Sequence, residues 1–460
     1  MTGMIQKMNK QTNDFSQGEM WLQITRMGIP LAFAQIVNVL YNLIDRMYIG
    51  HIEGIGAVAL TGVGICTPIF TVITAFSNLC GMGGGPLCAI ERGKGQLDRA
   101  GRIMENGFFL TVLISVLLSA GMHVFIDPFL IWLGASADSL QYARSYLSVY
   151  LWGIPFSMIS VGMVFYINSQ GFAKIGMLSV VIGSVINLIL DPIFIFALKL
   201  GITGAAIATV ISQFVSFMWC MRFLTGKKAI LRLKYTSCVP DAELIKQILS
   251  LGASGFIICI TGAIVQAICN KQLGKYGGDI YVALMTVIGS FRELIFNIIH
   301  GYSNGAQPVL GYNYGAGKYD RVKAGIRFIC AVCLIFGAIV SCIVIIFPSQ
   351  IVSLYNDTPQ LMLISSKATR LYFAGFTVLT LQTACQCIFL GLGMPKMSIT
   401  FAILRKLVIV VPLVYILPLC TDLGVDGVFV AELISNLLIG TICFFTMYNV
   451  VYKKKLKSTH

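Results

Sequence analysis

Charge is scarce in this chain. Asp, Glu, Lys and Arg make up 11% of its 460 residues and hydrophobic residues 57%, with a mean hydropathy of +0.83. Soluble domains carry roughly 25% charged residues, so the composition excludes one and implies an integral membrane protein. Motifs for hydrolysis are missing too. Lys94, Lys228 and Lys318 lack both the glycine six residues before and the Ser/Thr after that a phosphate loop needs, which argues against ATP hydrolysis. HExxH and GxSxG are absent, so no enzyme is expected. The fourteen cysteines, Cys259, Cys269, Cys330, Cys333, Cys385 and Cys387 among them, lie almost all in apolar stretches with no His or acid at ligand spacing. They read as small core residues. Met1 to Gly18 lacks the apolar core and cleavage site of a secretory signal, so the first apolar segment is expected to be retained.

What is present is a series of long apolar runs. A helix needs about 20 such residues to cross a bilayer, and twelve stretches qualify: roughly 21–49, 55–80, 103–125, 141–168, 175–198, 204–224, 244–273, 280–305, 322–347, 366–391, 398–420 and 427–451. The net charge of +14 sits in the short loops between them, which suits lipid head groups and not a nucleic acid. With the N-terminus inside, 25 Lys and Arg fall on inward segments, Arg405 and Lys406 counted with them, and six fall on outward ones. That asymmetry predicts two cytoplasmic termini.

The two halves repeat. "GGGPLCAIERGKGQLDRAGR" is echoed by "GAQPVLGYNYGAGKYDRVKAG", with Asp98-Arg99 and Asp320-Arg321 offset by 222. Tyr150 meets Tyr372 and Lys174 meets Lys396 at the same offset, and Gly201 and Gly204 meet Gly424 and Gly427 at 223. Six spans per repeat bring both halves in from the same side, which predicts an all-α integral membrane fold: twelve helices in two six-helix lobes related by a pseudo-twofold axis along the membrane normal. The expected organisation is an N-terminal segment (1–20), a first lobe (21–225), a polar linker (226–243), a second lobe (244–451) and a basic tail (452–460). Such lobes flank a central cleft, the geometry of alternating access.

An ionisable group at mid-span costs at least about 2.5 kcal/mol and usually marks an ion pathway. Asp45, Asp191, Glu293 and Glu432 are the acids set more than two residues inside a span. Asp45 lies five residues, roughly 7–8 Å, below the outer end of span 1. Asn187 and Asp191 share one face of span 5, and Thr209 in span 6 lies at a similar depth. Two carboxylates, an amide and a hydroxyl thus converge, a set that suits a hard cation such as Na+ or, the acids being held together out of water, a shared proton. A structural reading competes with this one: Asp191 would bond backbone freed by Pro192, and Asp45 would pair with Arg46. Adjacent helical residues do not face each other, which weakens that pairing.

At this point the chain resembles a known family. Its repeats, "NLIDRMYIG" ending span 1, "NLILDP" in span 5 and "GAAIAT" in span 6 are similar to the multidrug and toxic compound extrusion (MATE) transporters, and "GYSNGAQPVLGYNYGAGKYDRVK" to their MepA-like bacterial branch. The resemblance covers essentially the whole chain. It implies that Asp45, Asn187, Asp191 and Thr209 form the cation or proton site of the first lobe. Arg46 departs from it, since a small or uncharged residue is expected after the Asp. Where some members add acids in spans 7 and 10, this chain offers Gln266, Asn270, Gln382 and Gln386, so a carboxylate site in the second lobe looks lost.

Arg292 and Glu293, near the middle of span 8, point about 100° apart, so at least one is expected to face the cleft or an acid elsewhere; with Gln266 and Gln382 they form a candidate secondary cleft cluster. Glu432 takes the repeat position of Thr209 and reads as an acid near the outer surface, snorkelling or hydrogen-bonded. Aromatic and Met residues such as Tyr41, Phe156, Met163, Tyr166, Met285 and Phe296 are candidates for a drug cavity, although most of them should be core. The leading expectation is an antiporter in a bacterial inner membrane, monomeric and without a cofactor, that exports amphipathic, mostly cationic organic compounds in exchange for H+ or Na+, with membrane lipids as its surroundings. A flippase for lipid-linked oligosaccharide is the alternative. It would need basic residues facing the cleft for pyrophosphate, and Arg292 alone reads as mid-span.

Overall fold

Apolar side chains cover the helices on the outside as well as between them. Leu117, Trp132, Leu363 and Phe445 are among many large apolar residues left exposed, a surface stable only against lipid. In lipid every backbone polar group must be paired within the chain, and among the described residues the chain is helical with no strand. The computed structural model describes residues 14–234, 239–353, 358–420 and 423–456; the expected N-terminal segment up to residue 13 and the tail from 457 lie outside them. Twelve helices are long and apolar enough to span a membrane: α1 Met20–Gly50, α2 Gly56–Gly93, α3 Leu97–Val124, α4 Ala137–Ser169, α5 Ala173–Ala197, α6 Gly201–Thr225, α7 Ala242–Gly277, α8 Asp279–Gly315, α9 Tyr319–Ile346, α10 Pro359–Gly391, α11 Pro395–Leu419 and α12 Asp426–Lys455.

The windows read from sequence find all twelve but end α2 and α8 too early, at 80 and 305. Both helices continue through their Gly-Pro segments because those glycines are contact points. A Cβ at Gly83 would strike the Ile248 carbonyl of α7, and one at Gly84 the hydroxyl of Tyr166 in α4, which donates to the Cys80 carbonyl at 3.0 Å. Small residues let membrane helices approach closely. Of the twelve cysteines whose side chains are described, ten are buried and none is paired, in line with their reading as core residues. Met163, Tyr166 and Met285 are core as well.

The repeat is visible in the backbone. Gly95 and Gly317 have φ of 78° and 70°, and Gly171 and Gly393 of 89° and 67°, a left-handed conformation that glycine adopts without steric cost. Across the lobes, a Cβ at Gly93 would meet the Tyr312 carbonyl, and one at Gly315 the Ile90 carbonyl. Both pairs obey the offset of 222, so the contact is reciprocal and the pseudo-twofold axis passes between the ends of α2 and α8. The first helix of each lobe leans on the other lobe: Gly28 of α1 lies against Tyr302 of α8, and Gly252 of α7 against Leu79 of α2.

That end of the bundle is also strapped. Phe15 to Gly18, just before α1, is held by the second lobe through Asn313 Nδ2 to the Phe15 carbonyl (2.9 Å) and Arg321 to the Phe15 and Gly18 carbonyls (3.2 and 2.8 Å). Burial alone would raise the Asp14 carboxyl, but donors on Ser16 and the Tyr312 hydroxyl hold it below its usual range. The polar linker docks under the first lobe, where Leu231 N–H donates to Gln170 Oε1 (2.8 Å) and Asp241 N–H to Asn106 Oδ1 (2.7 Å). Asp241 then caps α7 by accepting from the Glu243 and Leu244 amides.

Candidate functional site

Helices α1, α5 and α6 bring together the four residues expected from sequence. Asp45 is 8% exposed, Asn187 1%, Asp191 1% and Thr209 2%. The carboxyl groups of Asp45 and Asp191 meet side by side. Asn187 Nδ2 donates to Thr209 Oγ1 at 3.4 Å, and that hydroxyl donates to the Ala205 carbonyl at 2.9 Å. Asp45 Oδ1, Asn187 Oδ1 and both Asp191 oxygens accept no hydrogen bond. Four buried oxygens without a donor are costly unless something positive joins them, and oxygen donors of this kind fit a hard cation or a proton.

Both competing structural readings fail here. Arg46 is exposed and follows Asp45 on a different face of α1, so it acts on that acid only at a distance and forms no contact ion pair with it. Asp191 accepts nothing from the backbone near Pro192; the helix instead adjusts by a wider turn, with Leu198 N–H bonding the Ile193 carbonyl at 2.8 Å. Tyrosines complete the cluster. Tyr41 and Tyr146 reach Thr209, and Tyr150 reaches Gln213. Tyr146 and Tyr150 stack at 5.9 Å. Of these three, Tyr41 alone was among the residues read from sequence, although the four-residue spacing on α4 places the other two on one face.

The second lobe differs from expectation. Glu432 is not a surface acid but 5% exposed, six residues into α12, and its Oε1 lies 3.5 Å from Lys406 Nζ. Lys406 and Arg405, counted with the inward segments although inside span 11, lie deeper than that count implies. The helix α11 begins at Pro395, ten residues earlier, which puts them roughly 15 Å along it. Arg405 Nη1 donates to Asn436 Oδ1 (3.1 Å), and its carbonyl accepts from Ser435 Oγ (2.9 Å). Arg292 lays its guanidinium over the Tyr372 ring at 5.8 Å. All three cations lie within electrostatic reach of Glu432, so the acid that Arg292 seeks is Glu432, and the mid-span bases number three where sequence suggested one.

The rest of the expected secondary cluster does not assemble. Glu293 is exposed while Arg292 is half-buried. Gln266 donates to Asn270 on its own helix at 3.1 Å. Gln382 is buried with no hydrogen-bond partner for its amide. Among the described residues no hydrogen bond links either glutamine to Arg292.

Comparison with known proteins places this geometry. The MatE family profile matches residues 30–193 and 256–416. The multidrug export protein MepA of Staphylococcus haemolyticus (strain JCSC1435) is 24% identical over 450 residues, 97% of this chain and 96% of that protein. Its namesake in Staphylococcus saprophyticus is 24% identical over 457 residues, 96% of each. Among solved structures, MATE in complex with MaD3S superposes with a TM-score of 0.88 at 25% identity, over 94% of this chain and 96% of that one. An outward-facing multidrug resistance MATE family transporter of the MOP superfamily gives 0.87 at 24% identity with the same coverage.

Proposed function

Because this chain belongs to the MATE family of membrane transporters, we propose that it is a secondary active multidrug exporter, exchanging H+ or Na+ for amphipathic, mostly cationic organic compounds by alternating access. The observation that carries this reading is the meeting of Asp45 and Asp191 inside the first lobe, with Asn187 beside Asp191 and neither acid in a salt bridge. Two ionised acids in contact repel; a proton or Na+ between them removes the repulsion and lets the ends of α1, α5 and α6 draw together. The coupling ion is itself a substrate, bound by Asp45, Asn187, Asp191 and Thr209. Release of the ion restores the negative charge and favours a cationic cargo, directly or through helix rearrangement. The relatives named multidrug export protein support the cargo class. The basic loops support a bacterial cytoplasmic membrane with both termini inside, the protein working as a monomer.

The test is cargo counterflow in proteoliposomes under a pH gradient and, separately, a sodium gradient. One gradient should drive export by the wild type and neither by Asp191→Asn. Export by that variant at the wild-type rate would remove the cluster from the mechanism.

A further inference from the structure

The second lobe holds more positive charge within its helices than its acids neutralise. Glu432 is taken by Lys406 at 3.5 Å. Arg405 has a neutral amide partner, Asn436, and Arg292 a neutral ring, Tyr372. Glu293 follows Arg292 but is exposed, on a face about 100° away. The Nε groups of both Arg292 and Arg405 are buried and donate to nothing. An arginine cannot shed its charge as lysine or histidine can, and a half-buried charge that shares one distant acid with two other cations is only partly compensated, which is costly. The group that complements these unpartnered donors is an anion. Guanidinium forks match carboxylate and phosphate oxygens in pairs, and here one fork is steadied by an aromatic face and the other by an amide.

We propose that Arg292 and Arg405, positioned by Tyr372, Asn436 and the Lys406–Glu432 pair, form an anion-binding site in the second lobe. Its ligand is a carboxylate, sulfonate or phosphate group on an amphipathic cargo, or a free inorganic anion. The cargo source rests on the export reading; anion binding itself does not. The site is separate from the first-lobe acids and opposite in sign, so it adds a second selection on cargo charge.

The experiment uses the full-length protein in phosphatidylcholine nanodiscs without any ion gradient. Two probes share one xanthene cation, a rhodamine with a free carboxylate and its methyl ester, and binding is read by fluorescence anisotropy in a low-ionic-strength buffer that contains no carboxylate, sulfonate or phosphate. The acid should bind about tenfold more tightly than the ester. The gap should collapse in both Arg292→Gln and Arg405→Gln, with ester affinity unchanged. A second arm adds chloride or inorganic phosphate to the same buffer and follows the melting temperature. If acid and ester bind alike but an inorganic anion stabilises the wild type saturably and neither variant, the ligand is the free anion. The site is refuted if the wild type shows neither an acid–ester gap nor anion stabilisation, or if either effect persists in both variants. The wild-type comparison needs no variant to fold, and its outcome is independent of whether ion gradients drive export.

Discussion

In the first lobe Phe70 packs its ring on Tyr150 at 4.7 Å; 222 residues later Arg292 lays its guanidinium over Tyr372 at 5.8 Å. Thr209, which accepts from Asn187, is replaced at an offset of 223 by Glu432, which pairs with Lys406. The positions 222 residues beyond Asn187 and Asp191 hold Ile409 and Leu413. A shared backbone plan thus frames a centre of two acids in one lobe and of three bases with one buried acid in the other. The repeat conserves helix contacts and left-handed glycines, which any close-packed copy needs, whereas the side chains at the centre were free to change sign. On the export reading proposed above, two lobes of opposite charge would treat the two ends of one cargo differently, which a symmetric pair of sites would not.

The largest effect should come from breaking the acid pair. Asp191→Asn, folded and inserted because a carboxylate is dearer to bury than an amide, should reduce ion-driven efflux to the level of empty vesicles, with Asp45→Asn close behind; cells expressing either at wild-type level should lose resistance. In the other lobe the damage should be to stability. Glu432→Gln leaves three cations without their buried acid, which should cost about 3 kcal/mol in detergent melts. Glu432→Gln combined with Lys406→Met should recover most of that. A full melting temperature in the single variant would mean that the second-lobe charges are already neutralised by something else.

Next in size is the linkage between proton and cargo. As pH falls and the first-lobe acids take up a proton, a cationic cargo loses its attraction, so affinity should weaken by a factor of about 5–150. The double variant Asp45→Asn/Asp191→Asn should bind with a flat pH profile, measured with a cargo whose own charge is constant. A double variant that kept the full slope would move the coupling to the second lobe. The smallest effect contrasts two repeat-related arginines. Arg321→Ala removes its own hydrogen bonds to the Phe15 and Gly18 carbonyls of the strap before α1, and should cost about 1–2 kcal/mol. Arg99→Ala, which loses only a partly exposed 3.9 Å pair with Glu91, should cost under about 0.5 kcal/mol. Equal melting shifts would show that the Arg321 bonds to the strap contribute nothing.

Much of the first-lobe site was legible because each signal was local. Asn187 and Asp191 share a face by spacing alone, and depth along spans 1, 5 and 6 follows from residue counts. Tyr146 and Tyr150 were not found, since tyrosine is common in membrane helices and nothing in the chain says which of them turn inward. Arg405 and Lys406 were misplaced for a different reason. Counting charges by side gave both to the inward end of span 11, yet α11 starts three residues before its window, buries Lys406 and half-buries Arg405. The offset of 222 carried a usable signal, for it pairs Arg292 with Phe70 and Tyr372 with Tyr150 and so predicts their contact.

Twelve spans, a twofold repeat and three helices presenting oxygens at one depth were determined by the sequence alone, because apolar length, internal offset and helical rise are properties of the chain itself. How each helix is rotated about its axis was decided only by tertiary packing. Arg46 turns out while Asp45 turns in, and Lys406 meets Glu432 across 26 residues of chain. Rotation and tilt are set by the neighbours a helix packs against, and glycine contacts such as Gly83 on Ile248 and Gly315 on Ile90 set them here.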